Sequence, residues 1–172
     1  AAVNSTASVE RVVLTSSCAA IYGDANECEL APNNTLNEEI WNTTSSVSHQ
    51  PYSYSKTIAE QEAWKLVKAQ DQWSLVVINP PLVLGPTIFG KSTSGSHDFC
   101  LQMGDGTMKA GAPPFEIGMV DVRDVAEAHI RAAYISGASG RHIVSKESYT
   151  PLKLSKMLQD KYGKDYPIPK KE

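Results

Sequence analysis

The sequence predicts an α/β fold built on a parallel sheet, and three observations carry that prediction. Val12-Val-Leu14 is a short, continuous apolar run, the pattern of a strand covered on both faces. Residues 52–68 continue without a helix breaker, and Ser74-Leu-Val-Val-Ile-Asn79 is a second apolar run of the first kind. A strand, a helix and a strand in that order form a βαβ crossover, right-handed in about 98% of parallel sheets.

The opening Ala1-Ala-Val-Asn-Ser5 reads as the end of a helix, and Ser5-Thr-Ala-Ser8 as a connector. A first strand is predicted over Val9–Ser17, with Thr15-Ser-Ser17 ending it. Residues 24–50, rich in Asn, Ser, Thr and Glu, predict a long excursion with at most a short helical turn near Asn37–Trp41. Pro51 suits the first turn of a helix that continues to Lys68, about four to five turns. Pro80-Pro81 closes the second strand.

Residues 87–112 predict an irregular segment holding one helix around His97–Met103, and Glu116–Val120 a short strand. Asp121 opens the next helix, with Asp121 and Asp124 where the helix dipole favours carboxylates. Its inward stripe is Val122, Val125, Ala126, His129 and Ala132 or Ala133, and His129 reads as a packing residue. Arg141–Ser145 predicts a last strand, and Thr150-Pro151 caps a helix that stops at Tyr162 before Gly163. The tail Tyr166-Pro-Ile-Pro-Lys170 reads as extended.

With 172 residues, 41% of them hydrophobic, the chain can bury one sizeable core. A net charge of -3 without a long basic run excludes a general polyanion binder, so no nucleic-acid partner is expected. No stretch approaches the roughly 18 apolar residues of a membrane span, and the opening lacks the charged-then-apolar pattern of a secretory signal. These readings predict a soluble, cytoplasmic protein. Cys18, Cys28 and Cys100 are odd in number and lack ligand spacing, which predicts reduced thiols and no metal site. Asn4-Ser-Thr6, Asn33-Asn-Thr35 and Asn42-Thr-Thr44 fit the short glycosylation pattern and are read as coincidental.

Tyr52 and Lys56 carry the chemical reading. Four residues apart at a helix start, they share one face, which continues through Ala59, Ala63, Leu66 and Val67 and is expected to be the buried one. A lysine there is anomalous, since burying an unpaired ammonium costs several kcal/mol. Beside a tyrosine it suggests proton transfer, because a neighbouring cation and the positive end of the helix dipole both favour a phenolate. Tyr54, followed at the same spacing by Ile58, lies on the opposite face. Ligands gather outside the carboxyl ends of strands in open α/β sheets, which brings Ser17 into the same set. Ser17, Tyr52 and Lys56 would handle a proton at a carbonyl or alcohol oxygen, and hydride would have to come from a cofactor.

Four motifs then carry a resemblance. Thr15-Ser-Ser-Cys-Ala-Ala-Ile-Tyr-Gly23, Tyr52-Ser-Tyr-Ser-Lys-Thr-Ile-Ala-Glu60, Asn79-Pro-Pro-Leu-Val-Leu-Gly-Pro86 and Val120-Asp-Val-Arg-Asp-Val-Ala-Glu-Ala-His129 occur in the order of the extended short-chain dehydrogenase/reductase family. The chain resembles its dihydroflavonol reductase and cinnamoyl-CoA reductase branch from about Val9 to Ser145. That resemblance implies a Rossmann-like, doubly wound parallel sheet lacking its first strands, with part of a small substrate-binding region. Residues 1–86 would be the second half of the NAD(P)-binding sheet, and 87–172 mostly the substrate-binding region with returning elements. It further implies Ser17 at the substrate carbonyl, Tyr52 as general acid, and Lys56 at the nicotinamide ribose hydroxyls. Pro80, Pro81 and Leu82 match the strand-end turn beside the nicotinamide, whereas Asp121, Arg123 and Asp124 match a structural motif.

The implied activity is reduction of a small-molecule carbonyl with NADPH in preference to NADH. Two departures qualify the resemblance. No Gly-rich turn follows the first strand, so the chain resembles the carboxyl-terminal half of a longer reductase. His49-Gln-Pro51 stands where cinnamoyl-CoA reductases carry Asn-Trp, which points to another aldehyde, ketone or dihydroflavonol-like substrate. A nucleotide-sugar epimerase or dehydratase would use the same three residues, and a non-catalytic Rossmann-like module would use none of them.

Overall fold

A computed structural model describes residues 2–88, 90 and 93–172, so Ala1 of the opening segment and Phe89, Lys91 and Ser92 of the 87–112 segment lie outside the described residues. The chain divides into two compact units. One comprises Ala1–Pro81 and Arg123–Val144, the other Leu82–Val122 and Ser145–Glu172.

In the first unit, β1 (Arg11–Thr15), β2 (Ser74–Asn79) and β5 (Gly140–Ile143) form a parallel sheet in the order β1-β2-β5. Every residue of β2 after Ser74 is buried, as expected of a central strand covered on both faces. Because side chains alternate along a strand, Leu75 and Val77 point to one side and Val76 and Ile78 to the other. The first pair packs with Val12, Leu14 and, from α2 (Pro51–Lys68), Ala63, Trp64 and Val67. The second pair packs with Val13 and, from α4 (Val122–Tyr134), Ala128 and Ala132. Helices thus cover both faces of the sheet, which is the doubly wound arrangement.

The first strand is shorter than the predicted Val9–Ser17. Ser16 still donates its N–H to the Ile78 carbonyl at 2.8 Å, after which Ser17 turns the chain into a short 3-10 helix, Cys18–Ala20. The excursion contains the turn near Asn37, where Ile40 N–H meets the Asn37 carbonyl at 3.2 Å, and also α1 (Glu27–Leu30), which was not predicted. Glu27 explains that helix. Its Oε1 accepts from the backbone N–H groups of Gly23 and Asp24 and from Thr44 Oγ1, fixing both ends of the loop.

The buried face of α2 corrects the sequence reading. Tyr52, Ala59 and Leu66 are exposed, Tyr52 by 63%, while Thr57 and Glu60 are the buried positions. The packed stripe is therefore rotated about one residue from the predicted one, some 100° around the axis. Apolar counting could not find it, because its central position holds a carboxylate.

His129 is a packing residue with defined bonds. A carbonyl only accepts, so the 2.8 Å contact with the Val125 carbonyl places a proton on Nδ1. Its Nε2 meets Thr15 Oγ1 at 2.6 Å, linking α4 to β1. Arg11 makes a second link, donating to the carbonyls of Ala132, Ala133, Ile135 and Ser136 at 2.7–3.2 Å, where α4 leaves its last carbonyls unpaired.

The second unit holds β3 (Leu82–Leu84), β4 (Ile117–Asp121) and β6 (Glu147–Tyr149), with β3 parallel and β6 antiparallel to β4. Neither β3 nor β6 was predicted. Leu82 directly follows a Pro-Pro terminator, and Glu-Ser-Tyr has no apolar alternation, so only pairing with β4 makes these strands. Asp121 ends β4 and directly precedes Val122, the first residue of α4. Ser94 caps α3 (Gly95–Gln102) by accepting from His97 N–H, and Thr150 caps α5 (Pro151–Tyr162) by accepting from Lys153 N–H. The tail is docked, with Ala112 N–H donating to the Lys171 carbonyl at 2.8 Å and Pro169 fully buried.

Candidate active site

The carboxyl ends of β1 and β2 and the start of α2 meet in the first unit. Ser17 is buried and extended, at φ -162° and ψ 156°. Its Oγ accepts from Ala19 N–H at 3.1 Å, capping the 3-10 turn and leaving the hydroxyl proton without an acceptor among the described residues. The Ser17 carbonyl accepts from Asn79 Nδ2 at 3.1 Å, and Cys18 N–H donates to the Pro80 carbonyl at 3.0 Å. The two strand ends are thus locked together, with Pro80 buried and Pro81 half-buried.

The first turns of α2 contact this 3-10 turn, where Thr57 Oγ1 lies 3.5 Å from the Ala19 carbonyl. Gln50, just before the helix, adopts the left-handed conformation, with φ 53° and ψ 60°. Asp24 steadies it, since one carboxylate oxygen accepts from Gln50 Nε2 at 2.5 Å and the other lies 3.0 Å from His49 Nε2. Lys56 is half-buried with its Nζ 6.0 Å from the centroid of the Tyr52 ring, and it forms no ion pair among the described residues. Of the predicted set, then, Tyr52 and Lys56 are adjacent on one helical turn and Ser17 lies in the turn against which that helix packs. Leu82 belongs to the second unit, where it is half-buried and paired with Met119.

Sequence reasoning missed the polar core beneath these residues. Glu60 is fully buried and accepts from Ser16 Oγ (2.5 Å), Asn79 Nδ2 (2.8 Å), Arg141 Nε (2.6 Å) and Trp64 Nε1 (3.3 Å). Arg141 also donates to the carbonyls of Glu38, Ile40 and Ala20 at 2.5–3.2 Å and stacks on Trp41 at 3.9 Å. The available signal was an arginine opening a short apolar strand and a glutamate one turn after Lys56. Cys18 borders this core, donating its thiol proton to the Asn79 carbonyl at 3.2 Å. Burial pushes that thiol up to about 11, against the opposing effect of the Arg141 charge.

Among the described residues, no group of three or more His, Cys, Asp and Glu could hold a metal ion, and no helix is long and apolar enough to cross a membrane. Asn42 is buried, with its amide donating to the Ala19 carbonyl and to Ser45 Oγ, so this sequon is inaccessible in the folded chain.

Helices on both faces of a parallel sheet, with polar residues gathered at its carboxyl edge, define a Rossmann-like α/β protein. Residues 1–144 match the NAD dependent epimerase/dehydratase family, and the chain belongs to that family. It is 34% identical over 169 residues to tetraketide alpha-pyrone reductase 2 of Arabidopsis thaliana, covering 97% of this chain and 50% of the relative. It is 35% identical over 167 residues to cinnamoyl-CoA reductase 2 of the same plant, covering 96% and 48%. Among solved structures, yeast methylglyoxal/isovaleraldehyde reductase Gre2 complexed with NADPH superposes with a TM-score of 0.81 at 31% identity, over 94% of this chain and 51% of that one. The chain spans about half the length of the curated relatives it matches.

Proposed function

We propose that this chain carries the proton-transfer half of an NADPH-dependent reductase acting on a small-molecule carbonyl: an aldehyde, a ketone or a dihydroflavonol-like compound. The observation that carries this reading is the pairing on α2 of an exposed phenol with an ammonium that no carboxylate neutralises among the described residues. A structural lysine on a half-buried face would be expected to find an acid. Here the cation is left for a ligand or for the phenol.

The residues present suit the cofactor. Lys56 and Tyr52 both present donors for the hydroxyls of a nicotinamide ribose, while Pro80 and Pro81, lacking N–H groups, form a stiff wall at the strand end. When bound, NADPH would supply the hydride, which no side chain can provide. Ser17 would donate its free hydroxyl proton to the substrate oxygen and hold it in place. Tyr52 would give its proton to that oxygen, and the Lys56 charge would stabilise the phenolate left behind.

The similarity to reductases at 34% and 35% identity supports the reductase reading over the other activities in the family's name. Three free cysteines suit a reducing compartment, and a cytoplasmic location is part of the proposal. The two units are read as the remainder of a cofactor-binding sheet and a substrate-binding region. The test is to incubate the whole natural polypeptide with NADPH and a panel of aldehydes, ketones and dihydroflavonols. Alcohol formed in step with NADPH oxidation is the expected result. Isomerised or dehydrated product with no net NADPH consumption, or no turnover across the panel, would contradict it.

A further inference from the structure

The three stretches that supply the proposed chemistry are anchored to one carboxylate. Glu60 lies one helical turn beyond Lys56, Ser16 immediately precedes Ser17, and Asn79 immediately precedes Pro80. Ser16 and Asn79 both donate to Glu60 Oε2, at 2.5 and 2.8 Å, and the same Asn79 amide also holds the Ser17 carbonyl. On the other side of the carboxylate, Arg141 fixes Oε1 at 2.6 Å and is itself held by three carbonyls and the Trp41 ring.

A buried ion pair of this kind is a poor device for stability alone, since apolar residues of similar volume often serve as well. Its distinctive property is direction. Hydrogen bonds fix distances and angles that apolar packing lets slip, and here both Glu60 oxygens are engaged by four donors, while Asn79 Oδ1 has no partner among the described residues. We infer that Glu60, oriented by Arg141, is a positioning residue for the reduction proposed above. It would set the rotation of α2 against the Ser16–Ser17 turn, so that the Ser17 hydroxyl and the Tyr52 phenol address the same substrate oxygen. The inference rests on that functional reading.

The test uses Ser16→Ala, Glu60→Gln and their combination in the whole natural polypeptide. Ser16→Ala removes one donor and leaves the charge pair intact. Per folded molecule, it should lower kcat about tenfold to a hundredfold, the scale of a misplacement near 1 Å, with the KM for NADPH within about twofold of the parent. The combined variant should be no slower than Glu60→Gln alone, because both changes act through one contact. If Glu60→Gln does not fold, Ser16→Ala decides. Parental kcat in Ser16→Ala, alongside loss of turnover in Tyr52→Phe, would overturn this inference and leave the reductase reading standing. Retained turnover in Tyr52→Phe would overturn both.

Discussion

Arg141 and Glu60, 81 residues apart in the sequence, meet at 2.6 Å with side-chain exposures of 6% and 0%. This contact joins β5 to α2 across the end of the parallel sheet. Removing one partner strands the other charge in a site closed to water. Arg141→Ala should therefore destabilise the protein by about 3–5 kcal/mol, read as a fall in the urea midpoint. Replacing both residues with apolar ones, as in Glu60→Leu with Arg141→Met, should cost much less than the sum of the single changes. Full additivity would show that the two charges do not depend on each other.

The Cys18 thiol gives stability a pH dependence. Its folded-state value of about 11 lies above the ordinary thiol value of 9.0, mainly through burial, so the folded protein holds this proton where the unfolded chain releases it. The contribution is complete below pH 9 and is lost as pH rises through about 11, amounting to about 3 kcal/mol at most. Denaturant midpoints of the parent should fall across that window more steeply than those of Cys18→Ala. Parallel curves would show that Cys18 does not titrate with folding.

Arg11 tests how the end of α4 is held. Its guanidinium donates to four carbonyls at and just beyond the helix end, and Arg11→Ala removes those bonds, leaving the Ile135 carbonyl with the Ala138 N–H. The expected cost is about 1–2 kcal/mol, with faster amide exchange concentrated around 132–138. Unchanged exchange there would show that the end of α4 is held without the Arg11 bonds.

The sheet of the first unit was legible because its signal is local. The run Leu75–Ile78 announces a strand buried on both faces, and Pro51 marks the start of the helix that covers one of them. What was not legible depends on contacts distant in sequence. β6 exists only because Glu147–Tyr149 pairs with Ile117–Met119, and nothing within those three residues says so. The face of α2 was misjudged for a related reason. Glu60 counts as polar when read along the chain, and it is a core residue only because Arg141 and Asn79 arrive from two other strands to satisfy it. The adjacency of Tyr52 and Lys56 was legible from their spacing, whereas the exposure of Tyr52 was not.

Tyr52→Phe in the whole natural polypeptide tests the central claim most directly, with NADPH oxidation and NADPH binding measured side by side. Tyr52 is exposed and its phenol makes no hydrogen bond among the described residues, so the change should leave the fold intact. Turnover is expected to fall about a hundredfold to ten-thousandfold, the contribution of a positioned general acid, with NADPH affinity retained. Near-parental turnover in a folded Tyr52→Phe protein would contradict the account.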